Sequence, residues 1–187
     1  MSGRRSPRKR SGTTSFLGEF PDPLGFGHGP SRFSDPRRNI RQPFGVYYVG
    51  ATFDVAFLET IIRDMRNRNP GILEVPEGEL TRWAHVEITV REVLDAVDLR
   101  GGNPVTMGIP TDAVRGRSHG SGRTVSLALF RHADMPDAIY YPSRLNEDAN
   151  LAVYDHAIRK LAAGPRRSLD ICPELAPVLD RYRIAVV

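Results

Sequence analysis

The chain has a single cysteine, Cys172, among its 187 residues. That excludes a disulfide framework and a zinc site built on cysteines. No window approaches the ~18 apolar residues that a membrane-crossing helix needs. The first ten residues, MSGRRSPRKR, carry five basic side chains and no acidic one. No apolar run follows them, so they do not read as a secretory signal. The sequence therefore reads as a cytoplasmic protein without membrane contact. It has no GxxxxGK[ST] phosphate loop, no GxGxxG opening a helix after a strand and no GxSxG nucleophile elbow. His28, His85, His119, His132 and His156 are scattered without metal-ligand spacing, so no metal is expected. His132 and Asp134 alone do not complete a metal site.

What is present begins with charge. The formal net charge is +4. Setting aside the first ten residues leaves 21 basic side chains against 22 acidic ones. The basicity therefore belongs to a tail, which would meet nucleic acid only weakly, through phosphates. Residues 1–15 are rich in Arg, Ser and Gly and read as disordered. Residues 16–187 are the right length for one domain, and a 40% hydrophobic content provides for a core.

Residues 18–45 hold many Gly and Pro and read as a long irregular segment. Residues 46–49 read as a buried strand. Residues 52–67 read as a helix with Thr52 as N-cap. Its apolar stripe is Val55, Leu58, Ile62 and Met65, widened by Phe57 and Ile61. Strands are expected at 82–90, 93–99, 138–141, 150–155 and 183–187, and helices at 109–116, 121–133 and 173–181. The alternation of Ala84, Val86, Ile88 and Val90 marks a strand with one buried face. The result is mixed α/β, interleaved too irregularly for a doubly wound parallel sheet. Gly120-Ser121-Gly122 is a bare G-x-G and carries little.

Three places invite chemistry. Glu59 borders the apolar stripe of its helix; it faces either solvent or the edge of a pocket. Pro142-Ser143-Arg144 ends a strand, as a hairpin connection or a functional loop. Arg32 beside Phe33 is either a surface arginine or a bidentate phosphate ligand.

In order along the chain, four stretches resemble the RES domain family. "SRFSDP" (31–36) is similar to its Arg-Phe loop. "FGVYYVGATFDVAFLET" (44–60) is similar to its strand–turn–helix, with a tyrosine at the strand end and a glutamate in the helix. "SLALFRHADMPDAIYYPSRL" (126–145) is similar to its helix, loop and Ser-Arg strand end, and "NLAVYD" (150–155) to the strand that follows. The resemblance implies an α+β fold like that of ADP-ribosyltransferases over 16–187, with a small mixed or antiparallel sheet core and flanking helices. It implies an NAD⁺-consuming toxin of a type II toxin–antitoxin system that cleaves the nicotinamide–ribose bond as a glycohydrolase or phosphorylase. NAD⁺ would be substrate, and no cofactor is implied. Glu59, Ser143 and Arg32 would be catalytic, and Tyr48, Arg32 and Ser143 would bind NAD⁺. The expected partners are a helix-turn-helix antitoxin, through which any contact with nucleic acid beyond that of the tail would be indirect, and a second copy of the chain. Many family members carry a further arginine on an upstream strand, where this chain reads "TSFLGEF" (14–20). Transfer of ADP-ribose to a protein, and an inactive binding module, are the alternative readings.

Overall fold

A computed structural model describes residues 11–27, 29–63, 65 and 70–187. Residues 1–10 of the expected tail, His28 and most of the end of the expected 52–67 helix lie outside the described residues.

The strands are β1 (Ser11–Leu17), β2 (Val46–Gly50), β3 (Leu73–Val75), β4 (Trp83–Val90), β5 (Ala96–Asp98), β6 (Ala138–Pro142), β7 (Ala149–Tyr154), β8 (Leu161–Ala163), β9 (Arg167–Ser168) and β10 (Ile184–Val186). The helices are α1 (Phe53–Phe57), α2 (Glu77–Thr81), α3 (Asn103–Thr106), α4 (Thr111–Arg115), α5 (Gly120–Phe130) and α6 (Leu175–Arg181). The main sheet runs β5-β6-β7-β2-β1-β4-β8, with β9 also on β4, and β10 pairs β3 separately. Only β5–β6 is parallel in the main sheet. The architecture is mixed α/β, as the pattern predicts. One correction falls at the start: residues 11–15, expected to be disordered, form most of β1 and pair with β4.

Side chains on β2 alternate between two cores, as strand geometry requires. Val46 and the flank of Tyr48 face a cluster with Phe33, Phe44, Ile139, Tyr141 and Tyr154, covered by α4 and α5. Tyr47 and Val49 face the opposite cluster with Val86, Ile88 and Val153, over which Leu24 and Phe26 of the irregular segment fold. The Tyr47 hydroxyl donates to the Pro23 carbonyl at 2.7 Å, pinning that segment down. A third cluster joins Phe53, Phe57, Leu58 and Ile62 to α2, α6, β3 and β10. Val55 and Phe57 are wholly buried, each contributing about 1.5–3 kcal/mol of apolar burial.

The turn from β2 into α1 is tight. A Cβ on Gly50 would lie 2.7 Å from Val55 Cγ1 and 3.0 Å from Ala56 N. Thr52 caps α1, its hydroxyl accepting the Val55 N–H at 3.3 Å. After Phe57 the helix widens into a π-helical turn, Leu58–Ile62, where the Arg63 N–H bonds the Leu58 carbonyl at 2.8 Å. Such turns often mark functional sites, and Glu59 lies on this one. The expectation of one regular helix is corrected here.

β1 meets β2 at a single register pair, Thr13 and Gly50, while it pairs with β4 over its whole length. The sheet is thus joined lightly at its middle.

Candidate active site

Glu59 and Ser143 meet directly. The Ser143 hydroxyl donates to Glu59 Oε1 at 2.7 Å and accepts the Leu145 N–H at 3.0 Å. β6 and β7 form an antiparallel hairpin, and Ser143 opens its connection, with its N–H on the Asp148 carbonyl at 2.7 Å. The segment is thus a hairpin connection, and it brings Ser143 to Glu59. Ser143 is only 1% exposed and its hydroxyl is already engaged, so it orients the carboxylate.

Tyr48 has a similar job one step away. Its phenol oxygen accepts the Phe33 N–H at 3.0 Å and shares a 2.8 Å hydrogen bond with the Ser31 hydroxyl. Burial pushes the phenol above its ordinary value, so it stays protonated. Tyr48 thus fastens the loop that carries Arg32.

Arg32 is buried, and its Nη1 donates to the Gly116 carbonyl at 3.0 Å. Arg144 reaches the same carbonyl at 3.4 Å. Burial first, and then the like charge of Arg144, hold the Arg32 guanidinium below its usual value, opposed in part by Tyr141, Glu59 and Tyr48. Arginine remains a cation even so. The backbone of α5 comes close here: a Cβ on Gly122 would lie 2.6 Å from the Arg32 carbonyl and 2.8 Å from that of Ala113. Of the bare G-x-G, Gly122 therefore has a steric purpose, whereas a Cβ on Gly120 would meet only Ser118 Oγ at 3.7 Å.

Sequence reasoning missed Tyr141. It lies two residues before Ser143, packs edge-on to Phe33 with centroids 4.9 Å apart, and is buried. Burial, with Tyr48 and Glu59 adding to it, raises its phenol well above the ordinary value. The signal was the two-residue strand period, which puts Tyr141 and Ile139 on one face. Arg123 was also missed as a member of this neighbourhood, whereas Arg144 lies in the strand-end stretch singled out from the sequence.

β1 supplies no arginine to this face. Thr13 and Ser15 point there instead and bond His85, whose Nε2 is 2.6 Å from Thr13 Oγ1 and whose Nδ1 is 3.3 Å from Ser15 Oγ. The Thr13 hydroxyl also donates to the Val86 carbonyl. His85 Nε2 is therefore the donor to Thr13, leaving Nδ1 to accept from Ser15. His85 is thus a buried structural residue.

Arg32, Glu59, Tyr48 and Ser143, separated by up to 111 residues in sequence, are drawn into one electrostatic neighbourhood. A carboxylate held by a serine, beside paired guanidinia, suits a substrate with a developing cation at one end and phosphate at the other. A cavity of about 420 Å³ lies elsewhere, lined by Gly18, Thr81, Arg82, Trp83 and Arg166. Its two arginines are occupied, Arg82 by Glu79 and Arg166 by the Phe20 carbonyl. The described residues contain no cluster of three or more side chains suited to a metal ion, and no helix among them is long and apolar enough to cross a membrane.

The RES domain model matches residues 4–173. The chain belongs to the RES domain family. A RES relative from Sinorhizobium fredii (strain NBRC 101917 / NGR234), named "Probable toxin y4kH", is 37% identical over 129 residues, which are 66% of this chain and all of that protein. The fold also matches a chain in the crystal structure of the M. tuberculosis MbcT-MbcA toxin-antitoxin complex. The TM-score is 0.67 at 15% identity, covering 95% of this chain and 90% of that one.

Proposed function

We propose that this RES protein is a toxin of a toxin–antitoxin system that consumes NAD⁺ by breaking its nicotinamide–ribose bond. The observation that carries the reading is the Ser143–Glu59 hydrogen bond, which aims a carboxylate beside the Arg32–Arg144 pair. The printed name of the Sinorhizobium relative supports the toxin assignment.

The chemistry follows from charge. As the N-glycosidic bond breaks, positive charge grows on the ribose, and nicotinamide leaves neutral without a general acid. Glu59 stabilises that cation or orients the acceptor, water or phosphate. Ser143 holds Glu59 in one rotamer. Arg32 and Arg144 grip the diphosphate. Tyr141 offers an aromatic wall, and Tyr48 keeps the Arg32 loop in place. A helix-turn-helix antitoxin is the partner that would restrain the activity.

The test is NAD⁺ content on expression in bacteria and after incubation with purified protein. Wild type should deplete NAD⁺ and release nicotinamide, and Glu59→Ala should lose at least about 10²-fold in rate. Unchanged NAD⁺ with the wild-type protein ends the proposal. Labelled NAD⁺ separates the products: free ADP-ribose or its phosphate supports cleavage, whereas label on a protein supports transfer. Arginine on β1 is absent, so an inactive binding module is the competing reading; calorimetric binding of NAD⁺ without turnover would favour it.

A further inference from the structure

Three guanidinia, Arg32, Arg144 and Arg123, gather around His119, with Arg63 a fourth charge in the same field. Arg32 and Arg144 share the Gly116 carbonyl. Arg123, in the first turn of α5, donates its Nε to the Ser31 carbonyl at 2.9 Å, one residue from Arg32. Among the described residues none of the three makes an ion pair; each is held by a neutral carbonyl. Nearby along the chain, Asp112 accepts from Ser121 and Glu147 pairs with Arg115, while Glu59 takes the Ser143 hydroxyl and offsets part of the Arg32 charge. His119 precedes α5, and burial together with Arg32, Arg123, Arg63 and Arg144 holds its imidazole toward the neutral form.

In the dinucleotide reading, Glu59 faces the cationic nicotinamide end. Each phosphate of the diphosphate carries one charge, matched by Arg32 and Arg144. Arg123 is left over, with its terminal nitrogens unspent. We propose that Arg123, with His119 beside it, forms a second phosphate subsite adjoining the Arg32–Arg144 pair, which takes a phosphate group beyond those of the diphosphate. The proposal rests on the reading above for the neighbouring diphosphate. Two sources carry this chemistry: a 2′-phosphate on the dinucleotide, as in NADP⁺, and free inorganic phosphate.

Calorimetric titration of the full chain tests it, in a Glu59→Gln background so that turnover does not consume the ligand. The ligands are NAD⁺, NADP⁺, and inorganic phosphate with and without NAD⁺. Arg123→Gln removes the charge but keeps an N–H for the Ser31 carbonyl. NADP⁺ binding at least about tenfold tighter than NAD⁺ assigns the subsite to a 2′-phosphate. Phosphate binding to the NAD⁺-loaded protein assigns it to the free ion. Either gain should vanish in Arg123→Gln and largely persist in Arg123→Lys, with NAD⁺ affinity little changed. Equal affinity for the two dinucleotides without phosphate binding overturns the subsite, as does a gain that survives Arg123→Gln. Should neither dinucleotide bind, the proposed function fails, and phosphate titration of the protein alone still decides: binding lost in Arg123→Gln supports the subsite, and no binding ends it.

Discussion

Glu59 takes its hydrogen bond from a serine 84 positions away in sequence. If Ser143 acts only through Glu59, Ser143→Ala should lower kcat about 10–100-fold with little change in KM. Ser143→Thr should recover part of the loss. A rise in KM alone would show that Ser143 binds substrate instead. His85 makes a separate prediction about pH. Burial holds its imidazole below the ordinary value of 6.5. Below that value the unfolded chain takes up a proton that the folded one refuses. Stability is therefore full above about pH 6.5 and falls as pH drops toward the folded value, by at most about 1.4 kcal/mol per unit. Urea midpoints at pH 7.5 and 5.5 should differ, and His85→Gln should narrow the gap. His119 is held low too and adds in the same direction, though as a half-buried group it counts for less. Glu59, Ser143 and Arg32 were all legible as residues. What each touches was not, because Ser143 faces inward to a carboxylate and Tyr48 to a loop. Those directions are set by packing, not by strand or helix period.

The elements place these groups through two close approaches. Gly50→Ala would drive a methyl into Val55 and the Ala56 nitrogen. It should cost about 1–3 kcal/mol of stability and shift Glu59 relative to Arg32, lowering NAD⁺ turnover with it. Gly122→Ala would press on the Arg32 and Ala113 carbonyls, both backbone. Its signature should be weaker dinucleotide binding beyond a comparable loss of stability, read by calorimetry against thermal unfolding. Most elements were legible from pattern: β2, β4, β6, β7, β10 and the capped start of α1 follow directly from alternation and from Thr52. The π-helical turn was not, since Val55, Leu58 and Ile62 satisfy an ordinary helical stripe. The short α2, β3, β8 and β9 escaped as well. Two to five residues are too few to show a period, and only their neighbours hold them in shape.

At the scale of the whole molecule, charge and sheet layout separate cleanly. The ten N-terminal residues carry the surplus of positive charge. Their removal should abolish retention on a cation exchanger, weaken any salt-sensitive binding to nucleic acid and leave NAD⁺ turnover unchanged. Loss of turnover would tie the tail to the site. The family and the mixed architecture were readable from four ordered stretches. The start of β1 was not, because "SGTTS" has the composition of a linker and becomes a strand only by lying against β4.

The lone Thr13–Gly50 pair has a mechanical consequence. β1 grips β4 through seven register pairs and β2 grips β7 through five, whereas β1 and β2 share one. Pulled in an optical trap by handles on β4 and β7, the protein should part between β1 and β2 at the lowest force, with both flanking halves still intact.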